Sequence, residues 1–155
     1  MRRFNNLYEK VISIENLELA DSIARKGKTK RPGVLNHDKN SNLNILKLHK
    51  ALKNKTFKTS YYNTFKIFET KERLIYSLPY YPDRIVHHAI MNILEPIFVG
   101  MFTADTYCCI KGRGIHGAAN AVKKALKDTI NTKYCLKLDI VKFYKMERKT
   151  LMPLG

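Results

Sequence analysis

At 155 residues the chain has the length of one domain, and its 45% hydrophobic content excludes wholesale disorder. Its 29 Lys and Arg against 13 Asp and Glu give a formal net charge of +16, which favours a polyanionic partner, nucleic acid above all, over a merely solvated lysine-rich surface. No apolar run approaches the roughly 18 residues of a spanning helix, and the opening MRRFNNLYEK has no apolar stretch of the secretory kind, so a membrane role is not expected. The cysteines, Cys108, Cys109 and Cys135, are odd in number and lack metal-ligand spacing, as expected of reduced thiols in a cytosolic protein.

In chain order, Leu7, Val11 and Ile14, then Leu17, Ala20, Ile23 and Ala24, recur at helical spacing. Gly27 is placed to cap that segment and Pro32-Gly33 to mark a turn. Arg25, Lys26, Lys28, Lys30 and Arg31 thereby fall in one basic loop. The next helix is expected from about Asp38 to Lys53, with Leu43, Leu46 and Ala51 among its apolar positions and Asn36 or Asp38 as cap. TFKTSYYNTFKIFET reads as a strand or hairpin arm, and ERLIYSLPY as a second strand stopped by Pro79 and Pro82. Pro82 then opens a helix with Ile85, Val86, Ala89, Ile90, Ile93 and Leu94 on one face, limited or kinked by Pro96. KGRGIHGAANAVKKALKD reads as a glycine-punctuated loop and a further amphipathic helix. KYCLKLDI reads as the last strand, with Tyr134, Leu136 and Leu138 on one side and Cys135, Lys137 and Asp139 on the other.

Some of these positions carry chemistry. Hard cations such as Mg²⁺ want carboxylate oxygens, and a carboxylate at a strand end is rigid and open to substrate. Asp139 suits that role by position, although the motif alone favours a plain strand-terminating Asp. Lys71 and Arg73, two apart on a strand, share a face that either grips a triphosphate or is simply solvated. Asp83 suits the positive end of the helix that follows it. His87 and His88 are adjacent, point to different helix faces and read as structural, as does His116. The glycines around Arg113 allow close backbone approach to a partner but lack P-loop spacing.

Four stretches, ETKERLIYSLP, PDRIVHHAIMNILEPIF, CIKGRGIHGAA and LKLDIVKFY, follow one another. Their types, order and spacing resemble the N-terminal part of bacterial reverse transcriptases: those of group II introns, retrons and, most closely, diversity-generating retroelements. The resemblance runs from NLYEKVISIENLELADSIARKGK to Tyr144. It implies an α+β fold: a helical basic N-terminal region over 1–55, a fingers region with a small antiparallel sheet over 56–132, the first palm strand over 133–144, and an aberrant tail over 145–155. It also implies an RNA-directed DNA polymerase, cytoplasmic and encoded by a bacterium or phage. Such an enzyme adds deoxynucleoside triphosphates to a primer 3′-hydroxyl on an RNA template, using two Mg²⁺ ions ~3.5–4 Å apart.

By this resemblance Asp139 is the first catalytic aspartate and a metal ligand. Lys71 and Arg73 hold the incoming triphosphate, and the backbone after Phe143 approaches it. Tyr144 packs under the sugar and rejects a 2′-hydroxyl; read without the resemblance, it is equally a core aromatic. Arg113 contacts template phosphate and Arg84 either the template or a core carboxylate, while Arg25, Lys26, Lys28, Lys30 and Arg31 hold RNA without regard to sequence, a reading compatible with a lysine-rich loop that orders only on binding.

The chain also departs from the pattern. The family's second metal-binding motif, Tyr/Phe-x-Asp-Asp, is missing, and no Asp-Asp occurs in the sequence. After Tyr144 the expected Pro-Ser/Thr-Ile/Val-Asp-His is replaced by KMERKTLMPLG, as a frameshift, an early stop or a truncated gene would produce. Ile110 stands where the family often has Arg. One carboxylate cannot hold two metals, so these 155 residues alone are expected to be inactive. The alternatives are a non-enzymatic basic RNA-binding module and an inert truncated product. A palm strand without its neighbours would be an exposed edge.

Overall fold

The computed structural model of the protein describes residues 3–69 and 72–140. Among them are six helices and one two-stranded antiparallel sheet, an α+β composition. They fall into two compact units that divide between Phe102 and Thr103.

In the first unit the helical spacing from Leu7 to Ala24 becomes two helices, α1 (Leu7–Ile12) and α2 (Ile14–Ala24). The break is Ser13, in extended backbone, whose hydroxyl accepts the Asn16 N–H at 3.2 Å and so caps α2. A serine that bonds nearby backbone competes with continuing the helix and favours starting a new one. Gly27 follows α2 with φ +71°, a left-handed conformation that glycine adopts freely, as expected of a residue just past a helix end.

Pro32-Gly33 is not a turn but the opening of α3 (Pro32–Asp38), with Pro32 in the first helical turn, where its missing N–H costs nothing. Asn36 and Asp38 therefore lie inside α3 and cap nothing; Asn40 stands before α4 (Ser41–Lys53). The buried face of α4 is Ile45, Leu48 and Leu52, while Leu43 and Leu46 are exposed. Strands β1 (Asn63–Phe68) and β2 (Glu72–Ser77) pair antiparallel, with Phe65 opposite Ile75 and Ile67 opposite Arg73. A turn, Tyr80–Arg84, leads into α5 (Ile85–Met101). Pro82 thus lies before the helix rather than opening it, and Pro96 does not end α5.

The core of this unit gathers α1, α2, α4 and the start of α5. Leu17, Ala20, Ile85 and Ala89 have no exposed surface. The small side chains of Ala20 and Ala89 suit the close packing of α2 on α5. One polar side chain is built into this core. Asn16 donates to the carbonyls of Val11 and Ala89, both at 2.9 Å, and accepts from Asn92 at 3.0 Å, so its buried amide is satisfied.

In the second unit a loop leads to α6 (Ile115–Ala125). The expected last strand is not formed: residues 133–140 are neither helix nor strand, and Tyr134, Leu136 and Leu138 are exposed. A strand needs a neighbour to take its backbone hydrogen bonds, and the one sheet among the described residues consists of β1 and β2 alone. Residues 141–144 of the expected palm strand lie outside the described residues.

Candidate nucleic-acid interface

After α2 the chain makes two tight turns, in which the Lys28 N–H bonds the Arg25 carbonyl at 2.8 Å and the Arg31 N–H bonds the Lys28 carbonyl at 3.0 Å. These turns bring Lys28 and Arg31 over the end of β2 and the start of α5. There, Lys28, Arg31 and Arg84 line one cavity of 310 Å³ whose other walls include Ser77 and Tyr80. Three cations from two separated segments thus converge on one space. On α5, one turn after Arg84, burial first, then the charges of Arg84, Lys28 and His87, hold the His88 imidazole below the usual histidine range.

The rest of the basic loop divides. Lys26 and Lys30 are exposed. Arg25 is committed elsewhere: it pairs with Asp21 at 2.5 Å and with Asp38 at 2.8 Å. Beneath it Asp21 also accepts from the Tyr80 hydroxyl and lies 3.4 Å from Nε2 of the fully buried His37. That distance carries no hydrogen-bond geometry, and Nε2 has no hydrogen-bond partner. Burial lowers the His37 pKa, while burial and the bond to Asp21 raise that of Tyr80. The network holds α3, α2 and the Tyr80 turn together. Of its members, only the Asp21–Arg25 pair, at i,i+4 on a helix, is recognisable in sequence.

Gly33 completes the arrangement. A Cβ there would stand 3.1 Å from the Tyr80 Cβ, so the absence of a side chain lets α3 close on the Tyr80 turn. Asp83 is wholly buried; its Oδ1 accepts the Ser60 N–H at 3.0 Å, and its Oδ2 has no partner.

The other expected site residues are dispersed. Arg73 is exposed on β2 with Glu69 at 3.8 Å, while Lys71 lies outside the described residues. Arg113 donates through Nη1 to the carbonyls of Thr103, Ala104 and Thr106 at 3.2, 3.2 and 3.3 Å, so it holds its own loop. Ile110 is buried, which makes that position a packing one in this chain. Asp139 is exposed; Phe143 and Tyr144 lie outside the described residues. No group of three or more His, Cys, Asp or Glu suited to a metal exists among the described residues. Mg²⁺ requires several converging oxygens, and Asp139 with its described surroundings does not fit that need.

Gly33 is marked in the sequence only as part of a turn beside the basic loop, and Tyr80 and Ser77 are not marked at all. Nothing in the spacing of Tyr80 and Ser77 connects them to that loop; the link exists only once α3 folds against the turn. No protein-family model matches the chain, and no curated protein matches it either.

Proposed function

We propose that the chain is the RNA-holding fingers part of an RNA-directed DNA polymerase, and that its own activity is sequence-independent RNA binding. The convergence of Lys28, Arg31 and Arg84 on one cavity carries the binding half of this reading. The ordered motifs from ETKERLIYSLP to LKLDIVKFY carry the polymerase half. Lys and Arg that neutralise phosphates release counterions, which makes such binding strongly salt-dependent and indifferent to sequence.

Polymerisation by these 155 residues alone is not part of the proposal, because Asp139 has no described carboxylate partners for a two-metal site. A primer-extension assay with Mg²⁺, in which only Asp139-dependent synthesis counts, tests that half. Binding is tested by titrating single-stranded RNA between about 50 and 200 mM salt and repeating with K28A/R31A/R84A. The expected result is a steep loss of affinity with salt and a shallower slope for the triple variant. An unchanged slope would remove these residues from the interface; no binding at any salt would end the reading.

A further inference from the structure

A second cavity, of 410 Å³, adjoins the basic one. The two share Gly33 and Tyr80 in their walls. Both lie in the size range of ligand sites, roughly 300–1,000 Å³. The second has a different chemistry: besides Lys39, its lining includes three asparagines, Asn36, Asn40 and Asn44, and two part-buried tyrosines, Tyr80 and Tyr81, against both of which the buried His37 packs.

We infer that this cavity takes one unpaired nucleobase of an RNA whose phosphate lies among Lys28, Arg31 and Arg84. The inference rests on the RNA-binding reading above and deepens it. A carboxamide presents a donor and an acceptor side by side, the complement of a base edge, and aromatic rings provide the stacking surface that single-stranded recognition uses. The rings are held before any ligand arrives. Tyr81 stacks on His37 with centroids 5.3 Å apart and donates its hydroxyl to the Asn44 carbonyl at 3.0 Å. Tyr80 is tied to Asp21.

Asn40 is the most telling wall residue. Asparagine is among the best N-cap residues because its side chain accepts a backbone N–H of the first turn. Asn40 occupies that position before α4, yet its side chain makes no capping bond. It lines the cavity instead. Asn36, one turn earlier on α3, is exposed and lines it too. Asn44 is structural by comparison, since its Nδ2 is 3.3 Å from both Nδ1 and the carbonyl oxygen of His37. A base already paired in a duplex has its edge occupied, so the site selects unpaired nucleotides.

The test compares three probes of equal length: a single-stranded RNA, the same ribose-phosphate chain without bases, and an RNA duplex. The protein is expected to prefer the single-stranded RNA over the abasic chain by at least about fivefold, the lower end of what stacking one base contributes. N36A/N40A removes the base-edge contacts and leaves the rings, so it is expected to weaken that preference and leave the salt slope intact. K28A/R31A is expected to reduce the salt slope and leave the preference. Equal affinity for RNA and abasic chain, or a preference undiminished in N36A/N40A, would overturn the base site while leaving phosphate binding standing. No RNA binding at all would fell both. Should the double variant fail to fold, photocrosslinking of 4-thiouridine RNA to the unsubstituted protein decides: attachment within 36–44 or at Tyr80 or Tyr81 supports the site, and attachment only elsewhere refutes it.

Discussion

The Tyr80 hydroxyl donates its hydrogen to Asp21 across fifty-nine residues of chain, at 2.5 Å to the carboxylate and 3.1 Å to the same residue's carbonyl. The bond ties the turn before α5 to the end of α2, the two places from which Arg84 and Lys28 come. Tyr80→Phe removes the hydroxyl and keeps the ring. A hydrogen bond to a charged group contributes about 1.5–3 kcal/mol when buried, and this one is partly buried, so a loss of about 1–2 kcal/mol in urea unfolding is expected. RNA affinity should fall as well, although the substitution removes no positive charge. Unaltered affinity alongside the stability loss would show that the cations do not depend on this tie.

Acid should destabilise the first unit through His37. Its imidazole has no exposed surface, and burial is the largest influence on it; the nearby Arg25 adds to that effect, while Asp21 and Asp38 oppose it. The folded pKa therefore lies below the ordinary 6.5. Between those two values the unfolded chain binds more protons than the folded one, so stability is present above about pH 6.5 and is lost as pH falls through the folded pKa. His88 is shifted in the same direction and adds to the slope. Thermal unfolding at pH 7, 6 and 5 checks this. His37→Phe, which keeps a ring beside Tyr81, should give a shallower pH dependence; an identical profile would assign the effect elsewhere.

Leu17 and Leu46 separate packing from mere hydrophobicity. Leu17 is fully enclosed between helices, whereas Leu46 is 52% exposed on α4. Leu17→Ala is expected to cost about 2–5 kcal/mol. Leu46→Ala should stay within about 0.5 kcal/mol, as surface substitutions do. Chemical denaturation of both variants measures the difference directly, and equal costs would contradict the burial described for α4.

In the second unit Arg113 is the residue to remove. One guanidinium nitrogen serves three carbonyls of the loop at 103–106. Arg113→Ala leaves all three without that donor, so hydrogen exchange over roughly this stretch should accelerate. Were exchange unchanged while RNA affinity dropped, Arg113 would belong to the interface rather than to its loop.

Sequence patterning revealed the elements whose signals are local. The β1–β2 pair announced itself by aromatic and β-branched residues between turn formers, and α5 by apolar residues recurring at helical spacing. What it missed depended on a choice between two permitted roles. Pro32 is equally at home in a turn and at the start of a helix, and only the packing of α3 on the Tyr80 turn selects the helix. Ser13 interrupts an apolar rhythm that itself shows no break. KYCLKLDI alternates as a strand does, but alternation states a capacity for pairing, and no described neighbour supplies the pairing. For the site, each cation of the Lys28–Arg31–Arg84 group was visible singly. Their meeting, and the Asn36–Asn40 wall beside it, depend on tertiary contacts that no spacing rule encodes.

The buried amide of Asn16 has a mechanical consequence. Its bonds to Ala89 and Asn92 act as an indexing pin between α2 and α5. Apolar surfaces tolerate sliding, because one methyl replaces another at small cost. A pinned amide does not, since a shift by one residue would strand its donors in the core. Each residue of such a slip turns a helix by about 100°, enough to swing Arg84 away from Lys28. The aim of a strongly charged surface is thus kept by an uncharged side chain about two turns along from Arg84, and miscalibration there would blunt the grip without altering a single cation.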